Sequence, residues 1–346
     1  MGLGLDGLKS KLLGGLALDI VDVNLCLAVV GLGKMGLLHS AILNLLRPNT
    51  VKFVVDKSRL VTLGGSFLVK NVGFFRSLEK ILREDVDAVY VTAPAETHYS
   101  IVSRLFDAGI KAVFIEKPPT VNFSSFMELL EDSRGKLCMV GFQKRYALPF
   151  RHVKILLSEG VIGDIKDVKC YIKSSDVLKP TQRFNNIGRG VLLDLGIHLL
   201  DLLCWLFGEL SIESAQSKSL HTSIDDTFIA TLATETFGVK FEASWSDVGY
   251  RLPETFIEIN GDKGVLKVTE DYVKVALFDK NKSLAFYKPH YYQRFPPVLV
   301  ADPEYTIEDM HFLSCLTMNK KAETDIESCK SAMGLMEELY ARVRDG

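Results

Sequence analysis

Several features are missing from this chain of 346 residues. No apolar run approaches the roughly eighteen residues that a membrane span needs, so none is expected. Neither sign of charge dominates: the formal net charge is -2, which gives no general reason to expect nucleic acid or an acidic surface as partner. The six cysteines, at positions 26, 138, 170, 204, 315 and 329, include no CxxC pair and no metal-ligand spacing. Most sit in apolar runs and read as small buried hydrophobes in a reducing, cytoplasmic compartment. No cluster of His, Asp and Glu calls for a metal, and no internal repeat or low-complexity run appears. The opening MGLGLDGLKSKLLGGLALDI lacks a long apolar centre followed by a small-residue cleavage site, so a secretory leader is not expected. Asp6 also breaks the myristoylation pattern. Residues 1–21 read as an N-terminal arm or short extra helix.

The composition is that of an ordinary globular protein, 47% hydrophobic and 24% charged, and the length favours two domains. The first is expected over 22–145. Residues 24–30 form a short, nearly continuous apolar run, as in a strand buried on both faces. It leads into Gly31-Leu32-Gly33-Lys34-Met35-Gly36 and then a helical pattern over 35–46. A second apolar run, 51–55, closes on Asp56, twenty residues past the last glycine. Alone, GxGxxG says little; strand, GxGxxG, helix, strand and acid in this order mark a dinucleotide site. One glycine makes the tight turn, one lets the backbone approach a pyrophosphate, and one lets the helix pack on the sheet. The free N–H groups at the helix start favour the phosphates. Asp56 can accept ribose hydroxyls and repels a 2'-phosphate, which favours NAD. Lys57 and Arg59 beside it keep NADP as an alternative.

Strand and helix patterns then alternate: strands at 71–75, 87–92, 111–115 and 136–140, helices at 78–83, 97–108 and 123–133. This predicts an α/β Rossmann domain, a doubly wound parallel sheet with right-handed crossovers. Ligands in such sheets bind beyond the carboxyl ends of the strands. That rim would carry the glycine loop, Asp56, Thr92-Ala93-Pro94 and Glu116-Lys117-Pro118. Beyond 145 the pattern changes. A helix at 149–159 and a strand at 166–173 precede a polar loop, 174–189, and a helical segment running to about 207. Alternating half-buried runs at 229–234, 239–244, 256–259, 264–268 and 273–278 predict a large, mainly antiparallel sheet. Helices at 307–318 and 326–343 follow. Residues 146–346 are thus expected as one α+β domain that binds substrate and mediates oligomerisation.

Within it, Gly190–Asp201 is an apolar segment interrupted by Asp194, His198 and Asp201, which share one face of an α-helix. Burying a carboxylate beside an imidazole is costly unless they are paired or used. Alone, the segment reads equally as a satisfied structural pair or as a site.

From about Leu25 onward the chain resembles the Gfo/Idh/MocA oxidoreductases, the family of glucose–fructose oxidoreductase and inositol 2-dehydrogenase. The marks are GLGKMG at 31–36, Thr92-Ala93-Pro94 with His98 following, Glu116-Lys117-Pro118, and Asp194-x-Gly196-x-His198. The resemblance implies that Lys117 sits between nicotinamide and substrate, with Asp194 and His198 meeting it from the second domain. It also implies that the open face of the antiparallel sheet makes subunit contacts, giving a homodimer or homotetramer. Gln143 stands where the family often has Asn, and Ile187-Gly188-Arg189-Gly190 where it often has a run of glycines.

The implied chemistry is hydride transfer between nicotinamide and a secondary hydroxyl of a sugar, polyol or sugar derivative. The cofactor carries the hydride, and the protein positions the carbon and accepts the hydroxyl proton. His198 is the leading base, since imidazole titrates near neutrality. Lys117 is the competing one, because a partly desolvated lysine loses basicity. Asp194 orients the ring or binds a neighbouring hydroxyl. Asp201 reads as structural, by capping or by pairing within the helix face, and His98 as a shaper of the cofactor rim. The remaining histidines (39, 152, 221, 290 and 311) show no partner pattern and read as structural or exposed.

Arg145 and Arg183, with Lys179 and Arg189, lie near or on the loop before the Asp/His segment. If they face substrate, a phosphorylated, acidic or nucleotide-linked sugar becomes attractive; otherwise they are a solvated surface. Tyr291, Tyr292 and Arg294 belong to another loop that would line the cleft or a subunit contact. Two readings compete with a simple dehydrogenase: a glycoside hydrolase that retains NAD for transient oxidation, and a non-catalytic nucleotide-sensing regulator. The latter would need the glycine loop but no proton acceptor.

Overall fold

The computed structural model describes residues 24–68, 71–178, 189–250, 252–279, 282–287 and 302–344. The arm expected over 1–21, Lys179, Arg183, Tyr291, Tyr292 and Arg294 lie outside them. The described chain divides into two compact units, residues 24–143 with 302–329 and residues 144–287 with 330–344.

The first unit is built on six strands: β1 Leu27–Val30, β2 Val51–Val55, β3 Gly73–Phe75, β4 Ala88–Val91, β5 Ala112–Glu116 and β6 Leu137–Gly141. All pairings are parallel, in the order β3-β2-β1-β4-β5-β6, which is the doubly wound arrangement expected. Every residue of β1, β4 and β5 is buried, and this is why these strands read as unbroken apolar runs. The connections carry α1 Lys34–Leu46, α2 Arg59–Leu68, α3 His98–Asp107 and α4 Phe123–Asp132. Helix α2 was not apparent from the sequence because Gly64-Gly65 interrupts its pattern. The helix expected at 78–83 is a 3-10 turn.

A further helix, α7 Pro303–Met318, packs against α1 and β6 of this unit. Its Phe312 meets Tyr90 edge-on at 5.1 Å and Phe114 at 5.7 Å. The expectation that everything from 146 to 346 forms one domain is therefore corrected. Residues 302–329 complete the nucleotide unit, where Phe312 covers the rings of Tyr90 on β4 and Phe114 on β5.

The second unit holds an eight-stranded sheet in the order β14-β13-β12-β11-β7-β10-β9-β8. Its strands are β7 Ile165–Lys173, β8 Ser211–Lys218, β9 Thr227–Ala233, β10 Gly238–Ser244, β11 Glu254–Gly261, β12 Gly264–Val268, β13 Tyr272–Leu277 and β14 Lys282–Tyr287. Only β7 and β10 pair in parallel, so the sheet is mainly antiparallel, as expected. The sequence did not reveal β8, an edge strand with no buried residue to set an apolar pattern, or β14. Helix α5 Leu148–Ser158 lies on β12 and β13, and α6 Ile197–Phe207 packs with α8 Lys330–Arg344. Burial alternates residue by residue along β11. Cross-strand register puts Ile229, Glu242, Tyr171 and Phe256 in one row on the more open face, where Tyr171 stacks on Phe256 at 5.1 Å.

Candidate active site

In the first unit, four segments leave the carboxyl ends of parallel strands. Gly31 follows β1, Asp56 follows β2, Thr92 follows β4 and Lys117 follows β5. Gly31 has φ 94°, a turn that side chains resist. A Cβ on Gly36 would lie 2.0 Å from the Gly31 carbonyl oxygen and 2.8 Å from Thr92 Oγ1, so the close approach of α1 requires glycine there. Gly33 differs: a Cβ on it would meet nothing within 4 Å, and its φ of -75° suits any residue. Protein contacts do not explain that glycine, whereas a pyrophosphate lying against it does. Helix α1 starts at Lys34 with no side-chain cap and no acid in its first turn, leaving its first N–H groups for an anion. The cradle therefore fits a dinucleotide. Lys34 is exposed and Met35 half-buried.

Asp56 is tied to this loop. One carboxylate oxygen accepts the Leu32 N–H at 2.8 Å and the other accepts the Ser58 N–H at 2.8 Å. A carboxylate has about four acceptor positions, so two remain for ribose hydroxyls while the loop contact holds the group in place. Lys57 and Arg59 are exposed.

Thr92 donates its hydroxyl to the Gly31 carbonyl at 2.6 Å. Ala93 is half-buried and Pro94 exposed on the same loop. His98 begins α3 and bridges two loops, with Nε2 2.7 Å from the Ala93 carbonyl and Nδ1 2.9 Å from that of Pro118. Burial pulls its pKa down, and the two carbonyl acceptors oppose this. His98 thus joins the Thr92-Ala93-Pro94 loop to the Glu116-Lys117-Pro118 loop. Glu116 Oε2 accepts the Lys117 backbone N–H at 3.0 Å, and the Lys117 side chain is partly exposed.

Glu116 Oε1 reaches His39 Nε2 at 3.0 Å, and His39 Nδ1 reaches both oxygens of Asp309, at 2.9 and 3.0 Å. All three are buried. The sequence offered no partner for His39, and Asp309 lies 270 residues away. The only local hint is position: His39 stands one helical turn past Gly36, on the helix opened by the glycine loop.

In the second unit, Asp194 and His198 are both buried, 9% and 5% exposed. The segment is not α-helical throughout. Leu192–Gly196 forms a π turn that passes directly into α6 at Ile197. The wider turn changes the direct stacking of 194 and 198 assumed from α-helical spacing. Such turns occur often at functional positions.

This turn is held by residues that the sequence did not single out. Asp225 accepts the Gly190 N–H at 3.0 Å and the Leu192 N–H at 3.2 Å, and its own carbonyl accepts the Val191 N–H at 2.8 Å. The approach is so close that a Cβ on Gly190 would lie 2.1 Å from that carbonyl. The Leu193 N–H donates to Tyr340 Oη at 3.2 Å. Arg189 forks onto Glu337 at 2.9 Å on both arms and lies over the Tyr340 ring. Burial pushes the Asp225 carboxyl up to about 6, against the pull of its backbone donors.

One expected substrate ligand is placed elsewhere. Arg145 is 3% exposed and grips Asp201 through Nε at 2.7 Å and Nη2 at 2.5 Å. Burial pushes the Asp201 carboxyl up and Arg145 opposes it. The guanidinium fork is used to anchor α6, one turn past His198. Among the described residues no group of His, Cys, Asp and Glu is arranged to hold a metal ion, and no helix is long and apolar enough to cross a membrane.

Comparison with known proteins places both halves of the chain. Residues 25–142 match the family described as "Oxidoreductase family, NAD-binding Rossmann fold" and residues 150–267 match "GFO/IDH/MocA C-terminal domain". A D-apiose dehydrogenase from Paraburkholderia graminis is 24% identical over 301 residues, covering 84% of this chain and 80% of that protein. An inositol 2-dehydrogenase from Rhizobium meliloti is 28% identical over 194 residues, 53% of this chain and 57% of that protein. Among solved structures, a levoglucosan dehydrogenase in complex with NADH and levoglucosan superposes with a TM-score of 0.81 at 19% identity, over 93% of this chain and 98% of its own. The WlbA dehydrogenase of Bordetella pertussis, in complex with NADH and UDP-GlcNAcA, gives 0.77 at 20% identity, over 94% and 98%.

Proposed function

We propose, for a chain that belongs to the Gfo/Idh/MocA oxidoreductases and is an NAD-dependent dehydrogenase, that it oxidises a secondary hydroxyl of an uncharged sugar or polyol. The observation that carries this reading is the rim of the parallel sheet. There the dinucleotide cradle, Asp56 and Lys117 follow the carboxyl ends of β1, β2 and β5, and Glu116 holds the Lys117 backbone.

When bound, NAD supplies the hydride acceptor. The chain's own residues bind and orient it. The N–H groups opening α1 and the surface over Gly33 take the pyrophosphate, and Asp56 takes the adenosine ribose. Lys117 hydrogen-bonds the reacting oxygen and stabilises charge developing there. His198 accepts the hydroxyl proton, with Lys117 as the alternative acceptor, and Asp194 orients the imidazole or a neighbouring hydroxyl of the same substrate.

The preference for a neutral substrate rests on the arginines. Arg145 and Arg189 are paired with Asp201 and Glu337, which removes two of the four cations that argued for a phosphorylated or nucleotide-linked sugar. Relatives named for D-apiose and inositol support a polyhydroxylated substrate. The row Ile229, Glu242, Tyr171 and Phe256 on the sheet's open face supports self-association through that face, and the buried cysteines fit a cytoplasmic location.

NADH absorbance measured across a panel of sugars, polyols and nucleotide sugars, with NAD and with NADP, tests the reading. Turnover of a neutral sugar or polyol with NAD is the expected result, and activity confined to nucleotide sugars would overturn the substrate class. Full activity in both Lys117→Ala and His198→Ala would sink the assigned chemistry.

A further inference from the structure

We propose that His39 is the positioning residue of this site: clamped by Asp309, it holds Glu116, and through Glu116 it sets the backbone of Lys117 at the rim of the sheet. The inference rests on the reading of Lys117 as a site residue.

The contacts form an unbroken chain. Asp309 on α7 meets His39 Nδ1, His39 Nε2 on α1 meets Glu116 Oε1 at the end of β5, and Glu116 Oε2 meets the Lys117 N–H. Both oxygens of Glu116 are thereby directed, one inward and one toward Lys117. Asp309 and Glu116 present carboxylates to opposite nitrogens of one ring. A neutral imidazole has a single N–H, so only the doubly protonated ring donates to both.

The groups facing the ring come from three further elements. They are Asp309, Glu308 and Tyr305 on α7, Tyr90 on β4, and Phe114 and Glu116 on β5. No other cation stands among them. Burial opposes charge on the imidazole, but Asp309, by charge and hydrogen bond, and then Glu116 raise its pKa well above the ordinary value. Among the described residues neither oxygen of Glu308 has a hydrogen-bond partner, and burial pushes its pKa well up. Two carboxylates, those of Asp309 and Glu116, thus face opposite sides of one imidazole, and His39 opposes the upward push of burial on the Asp309 carboxyl. The ring also sits on the helix whose first turn receives the pyrophosphate, so a single side chain fixes the cofactor helix and the Lys117 strand relative to each other.

A purely structural ion cluster predicts lost stability in any His39 variant and nothing more. The two amide replacements separate the readings. In His39→Gln the amide nitrogen takes the place of Nε2 and keeps the donor to Glu116. In His39→Asn it takes the place of Nδ1 and keeps only the donor to Asp309. The measurement is the rate of reductive methylation of Lys117 in the NADH-bound protein, followed by peptide mass spectrometry, with Lys263 as internal reference. We expect His39→Gln to stay within about twofold of the parent and His39→Asn to shift the rate by about fivefold or more, the scale of one lost hydrogen bond. Equal rates in both variants and the parent would overturn the proposal.

If the Asn variant fails to fold, histidine-selective nitrogen NMR of the unaltered protein decides. A doubly protonated His39 ring at about pH 8 is expected, and a neutral tautomer there overturns the two-donor clamp. Failure of the Lys117 reading is separate: Lys117→Ala would retain dehydrogenase activity while the methylation contrast persisted.

Discussion

Asp56 Oδ2 accepts the Leu32 N–H at 2.8 Å, so the acid that closes β2 is fastened to the loop that closes β1. This contact holds the carboxylate in place, with Lys57 and Arg59 exposed beside it, and the proposed role of Asp56 at the adenosine ribose makes it the test of cofactor choice. Asp56→Ala should weaken NADH binding about tenfold or more, the scale of losing a charged hydrogen bond, and move the NAD-to-NADP affinity ratio toward NADP. Fluorescence titration of both reduced cofactors measures this, and an unchanged ratio would contradict the assignment.

The glycines of the loop should separate by role. Gly33→Ala puts a methyl group into open space at an ordinary φ, so the melting temperature should hold while NADH affinity falls. Gly36→Ala drives a methyl against the Gly31 carbonyl and should lower stability itself, by about 1–3 kcal/mol. Thermal melts and NADH titrations of the two variants side by side test the distinction. Equal loss of stability in both would show that Gly33 also serves the fold.

The Arg145–Asp201 pair is an anchor. Removing one partner strands a buried charge, so Arg145→Met or Asp201→Asn alone should cost about 3–5 kcal/mol in urea unfolding. The double change Arg145→Met with Asp201→Leu should recover much of that. Substrate KM should not track the loss of the guanidinium. A large rise in KM with unchanged stability would return Arg145 to the substrate.

The contrast between these residues shows what was legible in the sequence. The glycine loop was readable because it follows an apolar strand in a fixed local order, Lys117 came forward only through the family resemblance, and the parallel sheet followed from the alternation. Asp201 reads as structural because it stands outside the Asp194-x-Gly196-x-His198 pattern, and it is paired, although not within its own helix face. The partner of Asp201 was not legible: Arg145 stands 56 residues away, and a basic residue near a candidate site looks the same whether it binds substrate or a buried carboxylate. The π turn at 192–196 was hidden for a related reason. The distant acceptors Asp225 and Tyr340 hold its backbone, and its three leucines are good helix formers that mask the change. Strand β8 was hidden because its half-buried positions are mostly small or polar, so its alternation leaves no apolar pattern.

Asp225 should give a pH-dependent stability of unusual sign. Its pKa is raised in the native state to about 6 and is near 3.9 in an unfolded chain. Between those values the native state binds the proton and the unfolded state does not. The carboxylate's contribution to stability therefore falls as pH rises through this window, and the full cost, at most about 3 kcal/mol, is present above it. The stability of the parent relative to Asp225→Asn should thus improve as pH is lowered from about 7 to about 4. Paired melts across that range measure it, and a difference independent of pH would refute it.

Helix α7 has a consequence for how the protein is made. A ribosome releases residues 24–143 long before 302–329, so every strand of the parallel sheet is available while Tyr90 and Phe114 still lack Phe312 and the His39 ring lacks Asp309. The first part of the chain must wait, with the His39 ring unclamped and two aromatic faces uncovered, through the synthesis of the entire second sheet. Contacts spanning such sequence distances slow folding and prolong exposure to aggregation. The nucleotide unit comes first in sequence and is among the last parts to be finished.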